Sequence, residues 1–204
     1  MICVYLYKGI RKGYLQISNY IHKVFTTIKL IGNGVQYKTF STIGIPYIMV
    51  SLGGKLKIGN NFVMNNGITG NPIGCYNPCT LFVGPNAVLS IGNHVGISQT
   101  AIICHQEITI GNNVNIGGGT SIYDTDFHSL SPLIRNSPED QKSKKNSPVK
   151  IGDNAFIGAH CIILKGVTIG QNSIVGAGSI VTKSIPDNQI WAGNPAKFIK
   201  NIPL

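Results

Sequence analysis

Seven consecutive residues, Tyr123-Asp-Thr-Asp-Phe-His-Ser129, place an imidazole close behind two carboxylates. The ring of His128 ionises near neutrality, so it can accept a proton from a hydroxyl at physiological pH. A carboxylate, from Asp124 or Asp126, or a carbonyl on its other nitrogen would fix the tautomer and stabilise the charged form. On spacing alone the signal is weak and a solvated polar loop is the commoner outcome, so the segment has to be judged by what holds it. The other histidines are less suggestive. His94 and His160 share a turn position with Asn113, Asn154 and Asn172 and read as corners; His22 falls in a helical stretch, and His105 stays open. The histidines are too widely separated for a three-His zinc site. Five cysteines, with only Cys75 and Cys79 close together, indicate neither a disulfide framework nor a metal site, so none is expected.

The scaffold is legible in composition and period. The 204 residues include 32 Ile against 11 Leu, with 25 Gly and 20 Asn. Ile favours a pleated, half-buried surface, while Gly and Asn tolerate the left-handed backbone of tight corners. Aliphatic residues recur every six positions through Ile151, Ile157, Ile163, Ile169, Val175 and Val181. Earlier runs, Leu52-Ile58-Met64, Ile91-Ile97-Ile103 and Ile110-Ile116-Ile122, keep the spacing, with one extra residue between Ile103 and Ile110. Gly often follows the aliphatic residue, and Asn or Gly stands three places after it. Each hexad is therefore a short strand and a bend. Three of them close a triangular coil of about 18 residues, and coils stack ~4.8 Å apart. No single coil can bury its own apolar face, so stacking supplies the stability. Alternating hairpins of a sandwich would show period two over longer stretches instead.

Residues 1–50 differ. Ile17, Ile21, Val24, Phe25 and Ile28 lie at helical spacing, predicting an amphipathic helix over 14–30 that caps the open end of a repeat domain spanning 51–204. Lys8, Arg11, Lys12, Lys23 and Lys29 keep peripheral membrane contact open as an alternative. Two excursions interrupt the coils, at 65–80 and at 123–149, and residues 186–204 form a C-terminal tail. Long loops on a regular scaffold usually carry function. The second half of the larger one, with Pro138, Lys142, Lys144, Lys145 and Pro148, reads as solvated and mobile.

The hexads, the Tyr-Asp-Thr-Asp-Phe-His128 segment and the C-terminal Trp-Ala-Gly-Asn-Pro-Ala-Lys197 resemble the acetyl-coenzyme A-dependent O-acetyltransferases of the hexapeptide-repeat family, such as maltose and galactoside acetyltransferases and the enzymes that acetylate capsular and lipopolysaccharide sugars. The resemblance covers roughly residues 50 to 200. It implies an all-β, left-handed parallel β-helix with an N-terminal helical cap and one long protruding loop, assembled as a homotrimer with sites between protomers. His128 maps onto the family's general base; Asp124 or Asp126 is the candidate to orient it, where relatives often use a backbone carbonyl instead. The sequence then continues His-Ser-Leu-Ser-Pro132, where the galactoside enzymes carry Pro directly after the His. The resemblance puts the pantetheine of coenzyme A along Ala159, Ala177 and Gly178, with an oxyanion-stabilising amide near Ala159. It puts the nucleotide phosphates near Thr182, Lys183, Lys197 and Lys200, and gives Phe156 as an apolar wall where relatives often have Trp.

The expected activity is acetyl transfer from acetyl-coenzyme A to a sugar hydroxyl, with no metal. An N-acetyltransferase of amino sugars or antibiotics and a non-catalytic hexapeptide scaffold remain the alternatives. A serine acetyltransferase is less expected, since the long helical N-terminal domain of that group would not fit in 50 residues. A formal charge of +10 suits anionic ligands. Nucleic acid is not expected, because only two arginines are present and the lysines are spread out without interleaved aromatics. No apolar run is long enough to span a membrane, and the start Met1-Ile-Cys-Val-Tyr-Leu-Tyr-Lys8 lacks the order of a secretory signal, which gives a cytoplasmic expectation.

Overall fold

The computed structural model describes residues 1–203. Its strands form three parallel faces of six, eight and six strands, and successive strands pass from face to face rather than to a neighbour. The first face stacks Gln36–Tyr37, Lys55–Ile58, Val88–Ile91, Glu107–Ile110, Val149–Ile151 and Thr168–Ile169. The third stacks Tyr47–Val50, Thr80–Val83, Ala101–Cys104, Ser121–Tyr123, Ile162–Ile163 and Ile180–Val181. The second face runs from Phe40–Ile43 to Ile174–Val175 and ends in Gln189–Gly193, which pairs antiparallel with Ala196–Asn201.

Most strands of the coils alternate inward and outward, so like residues lie over like. Ile58, Ile91, Ile110, Ile151 and Ile169 are consecutive partners in one buried ladder. Full burial of each such side chain contributes about 1.5–3 kcal/mol. Small thiols complete the interior. Cys79, Cys104 and Cys161 are buried, and burial pushes the Cys79 thiol up to about 11, so it packs as a neutral group.

The corners are ladders too. Asn113, Asn154, Asn172 and Asn188 all have φ between 56° and 59°, and the amide of each of the first three donates to the side-chain oxygen of the next at 2.7–3.2 Å. His94 and His160, with φ of 56° and 58°, occupy such corners as the sequence suggests. Backbones approach closely beside them. A Cβ placed on Gly152 would lie 2.6 Å from the amide nitrogen of Gln171. Gly152→Ala is therefore expected to destabilise the fold by about 1–3 kcal/mol, read as a lower denaturant midpoint; an unchanged midpoint would show that the corner can relax.

Several expectations shift. The stack begins at Gln36 rather than near residue 51, because the strands of 36–50 pair in parallel with those of 55–83. Leu52 is not an inward residue: it sits in a turn and is 96% exposed. In the third coil Ile102, not Ile103, is fully buried and pairs with Ile122, so the irregularity falls at the Ser98–Thr100 corner, where Gln99 has φ 41°.

Helix α1 spans Ile2–Gly32, well beyond the predicted 14–30. Its C-terminal half covers the first coil, with Leu30 fully buried in the core. His22 Nδ1 accepts the Gly44 N–H at 3.0 Å, Lys29 Nζ donates to Pro46 O at 2.8 Å, and Asn33 Oδ1 accepts the Val50 N–H at 2.9 Å.

Candidate active site

The loop that carries His128 leaves the third face after Tyr123 and re-enters the first at Val149. Its neck is a short antiparallel contact. Ser147 N–H donates to Asp124 O, Asp126 N–H donates to Lys145 O, and Thr125 bridges Asn146. Phe127, with φ 64°, turns the chain so that its ring lies edge-on to both Tyr123 at 5.1 Å and His105 at 6.4 Å. His105 in turn lies 5.3 Å from Phe82, which ties the loop root to the coil below. The expected free second half is folded instead: Pro132–Arg135 and Asp140–Ser143 form two helical turns. Arg135 holds the first by donating to the carbonyls of Ser129 and Leu130.

This folding gives His128 a partner that its flanking residues do not supply. His128 Nδ1 lies 2.7 Å from Asp140 Oδ2, while Asp140 Oδ1 accepts the Ser129 N–H at 2.7 Å. A carboxylate only accepts, so Nδ1 carries the proton and Nε2 of the neutral ring keeps a free lone pair. The Asp140 side chain is 11% exposed and that of His128 61%. The Ser129 N–H, and after it the His128 ring, hold the Asp140 carboxyl below its usual range.

The carboxylates expected to orient His128 are engaged elsewhere. Asp124 is buried and caps a corner: Oδ1 accepts the His105 N–H, and Oδ2 accepts those of Gln106 and Glu107, at 2.7–2.8 Å. Asp126 pairs with Lys165 at 3.5 Å. Both build the platform under the loop, and the flanking spacing misled because the left-handed turn at Phe127 breaks the extended chain that would keep residues 124, 126 and 128 on one side. Asp140 had no sequence signal beyond an acid in a Ser-Pro-Glu-Asp turn twelve residues downstream. His105, left open by the sequence, accepts from Lys144 Nζ at 3.3 Å; burial, and then Lys144, lower its pKa.

The cofactor candidates fall into three places. Ala159, Ala177 and Gly178 share one corner, where Gly178 N–H donates to Ala159 O at 2.8 Å. Thr182, Lys183 and Lys197 line one hollow of about 320 Å³ together with Trp191 and Phe198. Two ammonium groups and two aromatic rings around one cavity suit a phosphorylated nucleoside. Lys200 is on the same strand as Lys197, opposite Ile190, and outside that lining. Phe156 is half exposed and lines a separate groove of about 620 Å³ with Asn65, Ser98, Asn115 and Gly117. Neither hollow is lined by His128.

Comparison with known proteins fits this architecture. A family model described as the hexapeptide repeat of succinyl-transferase matches residues 148–183. A protein of Dictyostelium discoideum named as an acetyltransferase is 50% identical over 97 residues, 48% of each chain. The chain thus spans about half the length of this and other curated relatives. Coverage is longer with WbbJ of Escherichia coli K12, named as a lipopolysaccharide biosynthesis O-acetyl transferase, at 30% identity and 72% of both chains. Among solved structures, AntD, an N-acyltransferase from Bacillus cereus in complex with dTDP and 3-hydroxybutyryl-CoA, superposes with a TM-score of 0.65 at 28% identity, over 87% of each chain. Six-residue rungs, a triangular section and a match along most of WbbJ agree: the chain belongs to the hexapeptide-repeat acetyltransferases, proteins of the left-handed parallel β-helix fold.

Proposed function

We propose that the protein transfers an acetyl group from acetyl-coenzyme A to a hydroxyl of a sugar or polysaccharide precursor, with His128 as general base. The observation that carries this reading is the 2.7 Å contact between His128 Nδ1 and Asp140, which leaves Nε2 able to accept a proton. Nε2 takes the hydroxyl proton as the acceptor oxygen attacks the thioester carbonyl carbon. The tetrahedral oxyanion is met by a backbone N–H near Ala159. The C–S bond then breaks, and the coenzyme A thiolate takes the proton from the imidazolium. Asp140 acts through His128 as a positioning residue, in place of Asp124 or Asp126.

Coenzyme A is assigned to the C-terminal coils. Its pantetheine runs past Ala159, Ala177 and Gly178, with Phe156 as an apolar wall, and its phosphates are met by Thr182, Lys183, Lys197 and Lys200. The basic, aromatic hollow at Lys183 and Lys197 supports this assignment. His128 and the cofactor candidates occupy separate surfaces of one chain, which suits a homotrimer whose sites are completed across a seam between protomers. We place the reaction in the cytoplasm, and among the described residues no helix is long and apolar enough to cross a membrane. Lys183→Ala is expected to raise KM for acetyl-coenzyme A about tenfold or more with kcat nearly unchanged. An unchanged KM would remove Lys183 from the site.

The likeness to AntD, an N-acyltransferase also solved as a mutant with dTDP-4-amino-4,6-dideoxyglucose, favours a second reading, acetylation of an amino sugar. Supplying matched hydroxyl and amino sugars with acetyl-coenzyme A separates the two. Acetyl ester formation supports the first, and amide formation supports the second.

A further inference from the structure

Helix α1 is inverted relative to an ordinary surface helix. The side that rests on the solenoid carries His22, Thr26, Lys29 and Leu30, and of these only Thr26 and Leu30 are buried. The opposite side is apolar and open: Leu6, Ile10, Tyr14, Ile17, Ile21 and Ile28 are between 44% and 69% exposed. At 100° per residue the open side forms an arc of about 140° in which no charged residue falls. Residues 1–12 touch nothing in the solenoid deeply enough to lose their exposure. A lone helix of this kind gains little from its own hydrogen bonds in water, so a partner must order it.

The charge pattern says which partner. The first 106 residues contain eight Lys or Arg and no Asp or Glu, Glu107 being the first acid in the chain. Five of the eight cations, Lys8, Arg11, Lys12, Lys23 and Lys29, are on α1. The spacing of Ile10, Tyr14, Ile17, Ile21, Val24, Ile28 and Ile31 would also suit helices of several copies packing together. Parallel copies would, however, gather like charges with no acid to answer them. An anionic surface meets the same cations favourably, and the tyrosines Tyr7, Tyr14 and Tyr20 suit the headgroup layer.

We propose that the open face of α1 lies in the interfacial layer of an anionic lipid bilayer and docks the capped end of the solenoid onto it. The helix lies on the membrane rather than across it, since it is not apolar enough to span. Contact on this side leaves the solenoid on the far side of the helix, clear of the lipid.

Co-sedimentation of the full chain with vesicles tests the proposal, comparing phosphatidylcholine alone with phosphatidylcholine mixed with phosphatidylglycerol. Binding is expected on the mixed vesicles and is weakened by salt. The double variant Ile10→Glu, Ile17→Glu changes only exposed side chains, so its thermal melt stays unchanged while vesicle binding is lost. The triple variant Lys8→Gln, Arg11→Gln, Lys12→Gln is expected to partition roughly 10²-fold less well. Failure of the unaltered protein to bind mixed vesicles overturns the proposal, as does equal binding to phosphatidylcholine alone. So does a double variant whose sedimentation mass falls while vesicle binding is absent throughout, because the face would then be covered by other copies of the chain.

Discussion

His128→Ala is expected to lower kcat by ~10²–10⁴-fold, the usual contribution of a positioned general base, while coenzyme A binds as before. The split follows from the geometry. His128 lies on the protruding loop, and the hollow lined by Thr182, Lys183 and Lys197 is built from the C-terminal coils. Removing the imidazole leaves the platform intact, because Asp124 and Asp126 are held by the His105–Glu107 backbone and by Lys165. Turnover with saturating acetyl-coenzyme A, together with calorimetric titration of coenzyme A, reads the two quantities separately. A variant that loses affinity and turnover in equal measure would mean that His128 binds rather than reacts.

Asp140→Asn is expected to cost on the order of 10²-fold or more in kcat with little change in KM. The amide of Asn can turn an N–H toward Nδ1, which would move the ring proton to Nε2, the nitrogen that has to be free. Asp140→Glu restores an acceptor and should recover part of the rate, which a purely structural role would not predict. The same pair ties loop folding to pH. The Asp140 carboxyl is held below its usual value of 3.8 by the Ser129 N–H and by His128. A depressed folded-state pKa contributes stability that is fully present above the unfolded value and is lost as pH falls through the folded value. The difference in denaturant midpoint between the unaltered protein and Asp140→Asn should therefore be present at neutral pH and be lost in strong acid. A difference that persists undiminished in strong acid contradicts the assigned partner.

The sequence carried the scaffold well because stacking repeats one physical requirement at every rung. An inward aliphatic residue, a positive-φ corner and a close backbone approach leave a six-residue trace that composition cannot hide. The trace weakens where the requirement relaxes. Strands 36–50 pair with the next coil but carry one Gly marker, Gly44, and no Asn, so the stack begins earlier than the hexads suggest. At Ile102 and Ile103 two adjacent isoleucines compete for one inward place, and only the paired strands decide between them. In the candidate site, His128 was singled out because its segment resembles the acetyltransferase loop, whereas its partner carried no such mark. Asp140 reaches the ring only because the loop folds back through two short turns held by Arg135, a tertiary event with no fixed spacing. Helix α1 shows the converse. Its period was visible, but periodicity does not say which side of a helix meets its own fold.

The most direct measurement is the acceptor-dependent release of coenzyme A thiol from acetyl-coenzyme A, followed side by side for the unaltered protein and His128→Ala with a panel of sugar hydroxyl acceptors. The unaltered protein should release thiol only when an acceptor is present, and the variant should lose that dependence along with most of the rate. Equal acceptor-dependent release by the two proteins would contradict the role given to His128.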